Sequence, residues 1–301
     1  MLGRRQIREK VVETLYSYYQ NPIKQDVLEK NMFTSIEKIY HLYIYELNFL
    51  VALKNLAEHQ MDISKNKFLA SEHDMDPNQK FVRNQVLIQL EENQERKEFT
   101  AKHKGLQWDL HDDLLVRTFQ RMVNGKRYQD FMAEEEVSFE GDQKFIGKLF
   151  LRYIAENDEF HSRVEDMEMS WSDDVHIANT MVQKTIGFLK ADQNVNTLIR
   201  MIKDVEDKDF ARKLLVEGLN HYEENEKKLA GMLQNWDLDR ISLMDKLILV
   251  LALAEMDGFK LTPARVIINE YIEISKVYST DRSNIFINGI LDKYVKDTNR
   301  V

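Results

Sequence analysis

An all-α fold is predicted for this chain by its composition and by the spacing of its apolar residues. The 301 residues include only 10 glycines and 3 prolines, the residues that mark hairpins and doubly wound sheets. Long runs rich in Leu, Ile, Lys and Glu place apolar residues at helical spacing over most of the sequence. Hydrophobic residues make up 43% of the chain, which is enough for a buried core and excludes global disorder. The expected architecture is a helical bundle.

The first half of the chain predicts several helices separated by polar breaks. Apolar residues share one face over residues 4–19, and Asn21-Pro22 ends this helix. The polar stretch 71–78 is predicted to be a linker, and Ser138-Phe-Glu-Gly141 a turn. The other helices predicted in this half cover residues 34–59, 77–97, 109–123 and 125–137.

The second half contains the most regular helical pattern. Ser242 is predicted to be an N-cap, with Asp245 at the third helical position in a variant of the capping box. Gly258 is a C-cap signal, and Pro263 fits the first turn of the next helix. Ser279-Thr-Asp281 breaks that helix, and a final helix follows.

Two segments of the chain resemble each other without a gap. Residues 145–171 align with residues 210–236 at an offset of 65, and the pairs Phe145/Phe210 and Trp171/Trp236 are identical. A decayed duplication of a helical hairpin explains this similarity. Chance agreement between two amphipathic hairpins is the alternative.

Charge and residue types exclude several classes of protein. The 42 basic and 51 acidic residues give a net charge of −9, which argues against bulk attraction to nucleic acid or anionic lipid. Because the chain has no cysteine, a thiol nucleophile, a thiolate zinc site and an iron–sulfur cluster are excluded. The most apolar run, 247–254, is too short to span a bilayer, and the charged N-terminal residues do not resemble a signal peptide. A cytoplasmic protein with no membrane partner is expected.

Motifs for catalysis or metal binding are not apparent in the sequence. The glycines are too sparse for a phosphate-binding loop or a dinucleotide fingerprint. A di-iron bundle needs Glu-x-x-His pairs, whereas this chain offers only Asp158-Glu-Phe-His161 and Asp173-Asp-Val-His176. We therefore predict no enzyme, no catalytic residue, no metal site and no cofactor.

The first ten residues form a basic cluster, although the net charge of the chain is negative. Residues 1–10 contain Arg4, Arg5, Arg8 and Lys10, with only Glu9 opposing them. Positive charge at a helix N-terminus is unfavourable for the helix dipole, so stability alone does not favour this pattern. Guanidinium groups are suited to bidentate recognition of phosphates. The alternative is an incidentally basic, solvated helix end.

Three motifs in the C-terminal part carry a family likeness, together with the first helix. The first helix is Arg4-Arg-Gln-Ile-Arg-Glu-Lys-Val-Val-Glu-Thr-Leu-Tyr16. The C-terminal motifs are Asp239-Arg-Ile-Ser-Leu-Met-Asp-Lys-Leu-Ile-Leu-Val-Leu-Ala-Leu-Ala-Glu255, Thr262-Pro-Ala-Arg-Val-Ile-Ile-Asn-Glu-Tyr-Ile-Glu-Ile-Ser-Lys276 and Ser283-Asn-Ile-Phe-Ile-Asn-Gly-Ile-Leu-Asp-Lys293. In this order they resemble the NusB family of transcription antitermination factors, over about 1–20 and 207–297.

The resemblance implies an all-helical, RNA-binding adaptor. Members of the family bind the boxA element of nascent RNA together with the ribosomal protein NusE, in the transcription elongation complex that makes ribosomal RNA. The residues of this chain that match RNA-contacting positions are Arg4, Arg5, Arg8, Tyr16 and Phe286. An aromatic residue beside the RNA path stacks on bases.

Asp239 and Asp245 match acids that face the protein partner, where complementary charge favours a basic ribosomal protein. Arg282 departs from the family pattern, since an acid is common at its position.

Some of these residues have structural alternatives. Tyr16 and Phe286 are alternatively core aromatics. Asn269 and Glu270 are expected to cap or brace helices rather than to touch a ligand, and Asn288-Gly289 to permit a close approach of helices.

About 190 residues separate the matching parts, so the chain is predicted to be a NusB-like bundle enlarged by central helices. The predicted division is a first helix in 1–24, a central insertion in 25–206 and a C-terminal core in 207–301. A protein-interaction scaffold that has lost RNA binding is the alternative function, and a homodimer stays open. An RNA methyltransferase is disfavoured because no glycine-rich cofactor loop is present.

Overall fold

The computed structural model describes residues 3–69, 71–136, 138–191, 198–202, 205–233 and 240–299, and within these ranges it is all-helical. The predicted all-α class is confirmed. The α-helices are α1 (Arg4–Gln20), α2 (Gln25–Lys65), α3 (Glu72–Met75), α4 (Gln85–Glu92), α5 (Gln94–Lys102), α6 (Asp113–Val123), α7 (Lys126–Ala133), α8 (Phe139–Phe150), α9 (Asp158–Met167), α10 (Trp171–Phe188), α11 (Val205–Asn220), α12 (Tyr222–Met232), α13 (Leu243–Gly258), α14 (Ala264–Tyr278) and α15 (Ser283–Asp297). A 3₁₀ turn covers Lys104–Leu106, and a π-helical segment covers Leu151–Ala155.

The chain divides into two units of dense internal packing. The terminal unit contains residues 1–36 and 202–301, and the central unit contains residues 37–201. The long helix α2 begins in the terminal unit and continues in the central unit. The units therefore divide after residues 36 and 201, whereas the sequence placed the division after residues 24 and 206. Among the described residues, no helix is both long and apolar enough to cross a bilayer.

The terminal unit is built around α13. All residues from Leu247 to Met256 are buried, so this helix is apolar on every side and needs neighbours all round. Its neighbours are α1, α11, α12, α14 and α15. The predicted N-cap is confirmed, because the Ser242 hydroxyl accepts the Asp245 N–H at 3.1 Å.

Gly218 allows α11 to approach α13 and α1 closely. A Cβ atom at this position would lie 2.8 Å from Leu251 Cδ1 and 3.0 Å from Leu15 Cδ1. The expected close approach at Gly289 is wrong, because nothing lies within 4 Å of a Cβ built there. Residue size therefore limits the packing at Gly218 and not at Gly289.

We expect Gly218→Ala to lower the free energy of unfolding by about 1–2 kcal/mol, because overpacking outweighs the gain in helix propensity. The matched control, Gly289→Ala, is expected to raise it by about 0.5–1 kcal/mol, since the added methyl meets open space. Urea denaturation of both variants measures the difference. Equal effects of the two substitutions would show that Gly218 is not at a tight contact.

An aromatic cluster forms part of the core of the central unit. Tyr45 stacks on Trp108 with ring centroids 4.5 Å apart, and Phe49 meets Trp108 edge-on at the same distance. Phe160 lies 5.3 Å from Phe49. The indole N–H of Trp171 donates to a backbone carbonyl of α2 at 2.8 Å, which satisfies its one polar atom. Aromatic packing thus connects α2 with α9 and α10.

Three expectations about the first half are wrong, and polar caps explain two of them. The helix predicted over 77–97 is two helices, because the Asn93 side chain accepts the Arg96 N–H and starts α5 where α4 ends. The turn predicted at 138–141 is the start of α8, where the Ser138 hydroxyl accepts the Gly141 N–H. The second helix begins at Gln25, well before the predicted residue 34.

The two similar segments fold into comparable helix pairs. The first pair breaks at Glu156 and Asn157 and the second at His221, near the expected offset. Residues 234–239, including Trp236, lie outside the described residues. The duplication stays a prediction.

Candidate nucleic-acid interface

Arg8 lies in a buried ion pair beneath the basic end of α1. The Arg8 side chain is only 3% exposed, and its guanidinium donates to both carboxylate oxygens of Glu255 on α13, at 2.7 and 2.5 Å. The hydroxyl of Tyr271 on α14 donates to the same carboxylate at 2.9 Å. One buried carboxylate thus joins three helices.

The charge states of this group follow from burial and pairing. Burial, followed by the negative charge of Glu255, raises the pKa of Tyr271 well above its usual value, so the hydroxyl stays a donor. Burial opposes the charge on Arg8, but the hydrogen bond and charge of Glu255 outweigh it and raise the pKa of Arg8. Arg8 therefore stays a cation whose geometry is fixed by α13.

Arg5 is held at the surface by a second carboxylate. Its guanidinium donates to both oxygens of Glu270 on α14 at 3.0 Å, and the Arg5 side chain remains 40% exposed. The hydrogen bond to Glu270 is the largest cause of the raised pKa of Arg5. Glu270 also lies 3.7 Å from Arg8. The expectation that Glu270 braces helices is confirmed.

Arg4 is half exposed and lies against an aromatic ring. Its guanidinium carbon is 5.1 Å from the ring centroid of Phe210 on α11, and that of Arg8 is 5.2 Å from the same ring. Arg4 also lies 3.6 Å from a carboxylate oxygen of Asp207. Cation–π contact with a buried ring positions Arg4 while leaving much of its side chain in solvent.

The basic end of α1 borders a cleft of about 450 Å³. The residues that line this arginine cleft are Gly3, Arg4, Arg5, Gln6, Arg8, Thr262, Val266 and Glu270. Only Arg4 and Arg5 present exposed guanidinium groups there. The cleft can therefore receive a phosphate group, with Arg8 as support beneath it.

The two predicted aromatic residues lie on different helices. Tyr16 is 36% exposed, which excludes a core position. It follows Arg5 by eleven residues, so both lie on nearly the same face of α1, about 16 Å apart along the axis. Phe286 is partly buried in the first turn of α15, which packs on α13 and α14. The arginine-bearing α1 packs on α13 and α14 as well, so α1 and α15 share two supporting helices.

Asp245, predicted to face a protein partner, is engaged internally. Asp245 is only 8% exposed, and its carboxylate accepts hydrogen bonds from the hydroxyls of Ser279 and Ser283, at 2.6 and 3.0 Å. It therefore fixes the start of α13 to the connection between α14 and α15. Asp239 lies outside the described residues.

The part of the chain from α10 to α15 is similar to known proteins. The sequence profile of the NusB family matches residues 173–296. A transcription antitermination protein NusB from Methylacidiphilum infernorum (isolate V4) is 43% identical over 97 residues, which cover 32% of this chain and 68% of the relative. The chain belongs to the NusB family.

Two further NusB proteins show the same partial coverage of this chain. The protein from Salinibacter ruber (strain DSM 13855 / M31) is 36% identical over 109 residues, covering 36% of this chain and 68% of the relative. That from Chloroherpeton thalassium (strain ATCC 35110 / GB-78) is 39% identical over 92 residues, covering 31% of this chain and 44% of the relative. No solved structure matches the chain.

The NusB match includes the partners of the arginines but not the arginines themselves. It runs from α10 to α15 and leaves α1 outside, yet α1 packs on α11, α13 and α14, which are inside it. Sequence reasoning missed Tyr271 and Phe210 as neighbours of the arginines. Two acids in the sequence could have indicated where the arginines bind. Glu255 ends one of the apolar motifs that resemble NusB, and Glu270 lies within another.

Proposed function

We propose that this protein is an RNA-binding antitermination factor that binds boxA-type RNA together with the ribosomal protein NusE and supports transcription of ribosomal RNA. The observation that carries the proposal is the pair of exposed guanidinium groups, Arg4 and Arg5, on a cleft whose floor is fixed by the buried Arg8–Glu255 pair. Membership of the NusB family supports it.

Arg4 and Arg5 contact RNA phosphates in this proposal. Arg5 already shows the fork geometry that a phosphate requires, with Glu270 as its resting partner. Arg8 holds α1 in place, because its guanidinium is buried and donates two hydrogen bonds to Glu255. Tyr16 and Phe286 stack on bases along the path that leads from the cleft.

The NusE partner is proposed to bind where Asp239 and Asp245 match family acids. Asp245 contributes by positioning, since both of its oxygens accept internal hydroxyls. It holds the connection that exposes Asp281 and Arg282. A basic partner is favoured by Asp281 and disfavoured by Arg282.

Removing both exposed arginines is expected to weaken RNA binding. We expect Arg4→Ala/Arg5→Ala to weaken the affinity for boxA-type RNA by about tenfold or more, because each lost phosphate contact costs binding energy. The slope of log K against log salt should fall by about 1.4, at about 0.7 per phosphate for a single strand. Titration with fluorescent RNA, with and without NusE, measures both quantities.

The matched control is Lys227→Ala/Lys296→Ala, which removes two exposed cations from other helices of the terminal unit. It should bind RNA like the unmodified chain. Equal affinity of the arginine variant across the whole salt series would overturn the assignment of the site.

A protein-interaction scaffold is the second candidate function. Phe68 is fully exposed and Leu69 is 86% exposed in the central unit, and exposed apolar side chains of this kind are typical of protein contacts. This candidate predicts that the chain gives no RNA shift in the same titration and co-purifies with a protein.

A further inference from the structure

A basic cleft in the central unit lies between α7 and α8, and none of its lining residues belongs to the site assigned above. Phe131 and Phe145 stack with ring centroids 3.8 Å apart and planes 6° from parallel, which fixes one helix against the other. Both rings are buried, so they form the floor of the cleft and not its binding face. The cleft has a volume of about 600 Å³.

Four exposed cations line this basic cleft: Lys126, Arg127, Lys144 and Lys148. None of the four forms an ion pair with a carboxylate in the part of the chain that the structure describes. The feature that sets these four cations apart is that two helices bring them together in one concavity.

The carboxylates at the basic cleft do not cancel its charge. Glu134 and Asp130 also line it. Glu134 lies 3.7 Å from the ammonium group of Lys80, whose side chain is 8% exposed and which also sits 4.5 Å from the Phe131 ring centroid. With Glu134 paired with Lys80, Asp130 is the one remaining acid among the residues that line the cleft.

The sequence places positive charge here at a cost in helix stability. Lys126 and Arg127 occupy the first turn of α7, which has no acid and no side-chain cap. The N-cap is Gly125, because a Cβ there would collide with the Tyr153 hydroxyl. Lys144 and Lys148 are one turn apart on α8 and project from one face, with the opposite face packed on α4 and α10. Two helices thus direct cations into the same concavity.

We infer that the basic cleft binds the phosphate backbone of single-stranded RNA without sequence preference. A concave site with several unpaired cations fits a flexible polyanion, and electrostatic contacts of this kind supply sequence-independent binding. A membrane surface fits less well, because a membrane-binding helix needs exposed apolar residues beside its cations and the cleft floor is buried. The choice of RNA among polyanions rests on the proposed function.

The basic cleft would provide a second RNA contact, in the other unit of the chain. The arginine cleft would bind a boxA-type segment, and the basic cleft would bind RNA of any sequence. This difference in sequence dependence separates the two sites by experiment.

The test uses the full chain and two RNA probes, a homopolymeric single strand that lacks boxA and a boxA-type oligonucleotide. The variant Lys126→Gln/Arg127→Gln/Lys144→Gln/Lys148→Gln should bind the homopolymer about tenfold or more weakly at low salt. The salt slope should fall by about 2–3, since up to four phosphate contacts are lost. The control Lys65→Gln/Lys97→Gln/Lys102→Gln/Lys104→Gln removes the same charge from exposed positions of the same unit and should retain homopolymer binding.

Each outcome decides one of the two proposals. Homopolymer binding that is equal in the cleft variant and the unmodified chain overturns the inference, as does an equal loss in the control. Binding of anionic lipid vesicles but not of RNA also overturns it. If the unmodified chain binds boxA-type RNA no more tightly than the homopolymer, with and without NusE, while the cleft variant loses homopolymer binding, the inference stands and the proposed function fails. Circular dichroism of each variant excludes loss of fold as the cause.

Discussion

Replacing Glu255 with alanine is expected to lower the free energy of unfolding of the terminal unit by about 3–5 kcal/mol, because it removes the hydrogen-bonded counter-charge of a buried guanidinium. Arg8 loses both of its short hydrogen bonds, and the Tyr271 hydroxyl loses its acceptor. Urea denaturation followed by circular dichroism measures the change.

A double substitution separates the cost of an unpaired charge from the cost of lost volume. Arg8→Met/Glu255→Met removes both charges and keeps apolar bulk, so it should destabilise the unit less than Glu255→Ala does. Glu273→Ala, which removes an exposed partner of Lys276 on the same surface, should leave the unfolding midpoint unchanged. A double variant as unstable as the single one would show that packing, and not charge, dominates the site.

Replacing Glu46 with methionine is expected to stabilise the central unit by about 1–3 kcal/mol at pH 7, since it removes a buried polar group that has no partner. Glu46 is fully buried in α2, and neither carboxyl oxygen has a hydrogen-bond partner among the described residues. Burial raises the pKa of Glu46 well above its usual value.

The raised pKa of Glu46 also gives this prediction a pH dependence. Between the unfolded pKa of about 4.3 and the higher folded pKa, the folded state holds more protons than the unfolded state. Stability from this residue is therefore greatest below about pH 4 and falls as the pH rises through that window. The advantage of Glu46→Met should shrink as the pH is lowered toward 4, whereas the exposed control Glu92→Gln should follow the unmodified profile. A constant difference at all pH values would contradict the buried acid.

Features that depend on neighbouring residues, such as helices and some of their caps, could be predicted from the sequence. Contacts between residues far apart in the sequence could not. Ser242 was identified as a cap because its partner lies three residues away. Asn93 was missed because good helix formers (Gln, Glu, Arg and Lys) lie on both sides of it, so their helix propensity concealed the break. The sequence pattern alone does not distinguish a serine in a turn after a helix from a serine that caps the next helix. Ser138 was therefore predicted to lie in a turn, whereas it caps α8.

The candidate site was predicted in part, and burial explains the remainder. The arginines of α1 were identified from their charge, but charge does not show which guanidinium is covered. Arg8 and Glu255 are 247 residues apart, and no local rule pairs residues at that separation. Four cations of the basic cleft come from two helices whose stacking depends on Phe131 and Phe145, so their assembly is visible only in three dimensions.

The long separation between Arg8 and Glu255 in the sequence delays their pairing during protein synthesis. At about 5–20 residues per second, a ribosome needs about 12–50 s to add the 247 residues between them. During that interval all the residues of the central unit emerge, while α1 lacks α11, α13 and α14, the helices that cover its apolar face. Until Glu255 emerges, Arg8 lacks its buried partner, and the arginine cleft also needs Thr262, Val266 and Glu270. A nascent chain stopped before residue 255 therefore carries the arginines without the site.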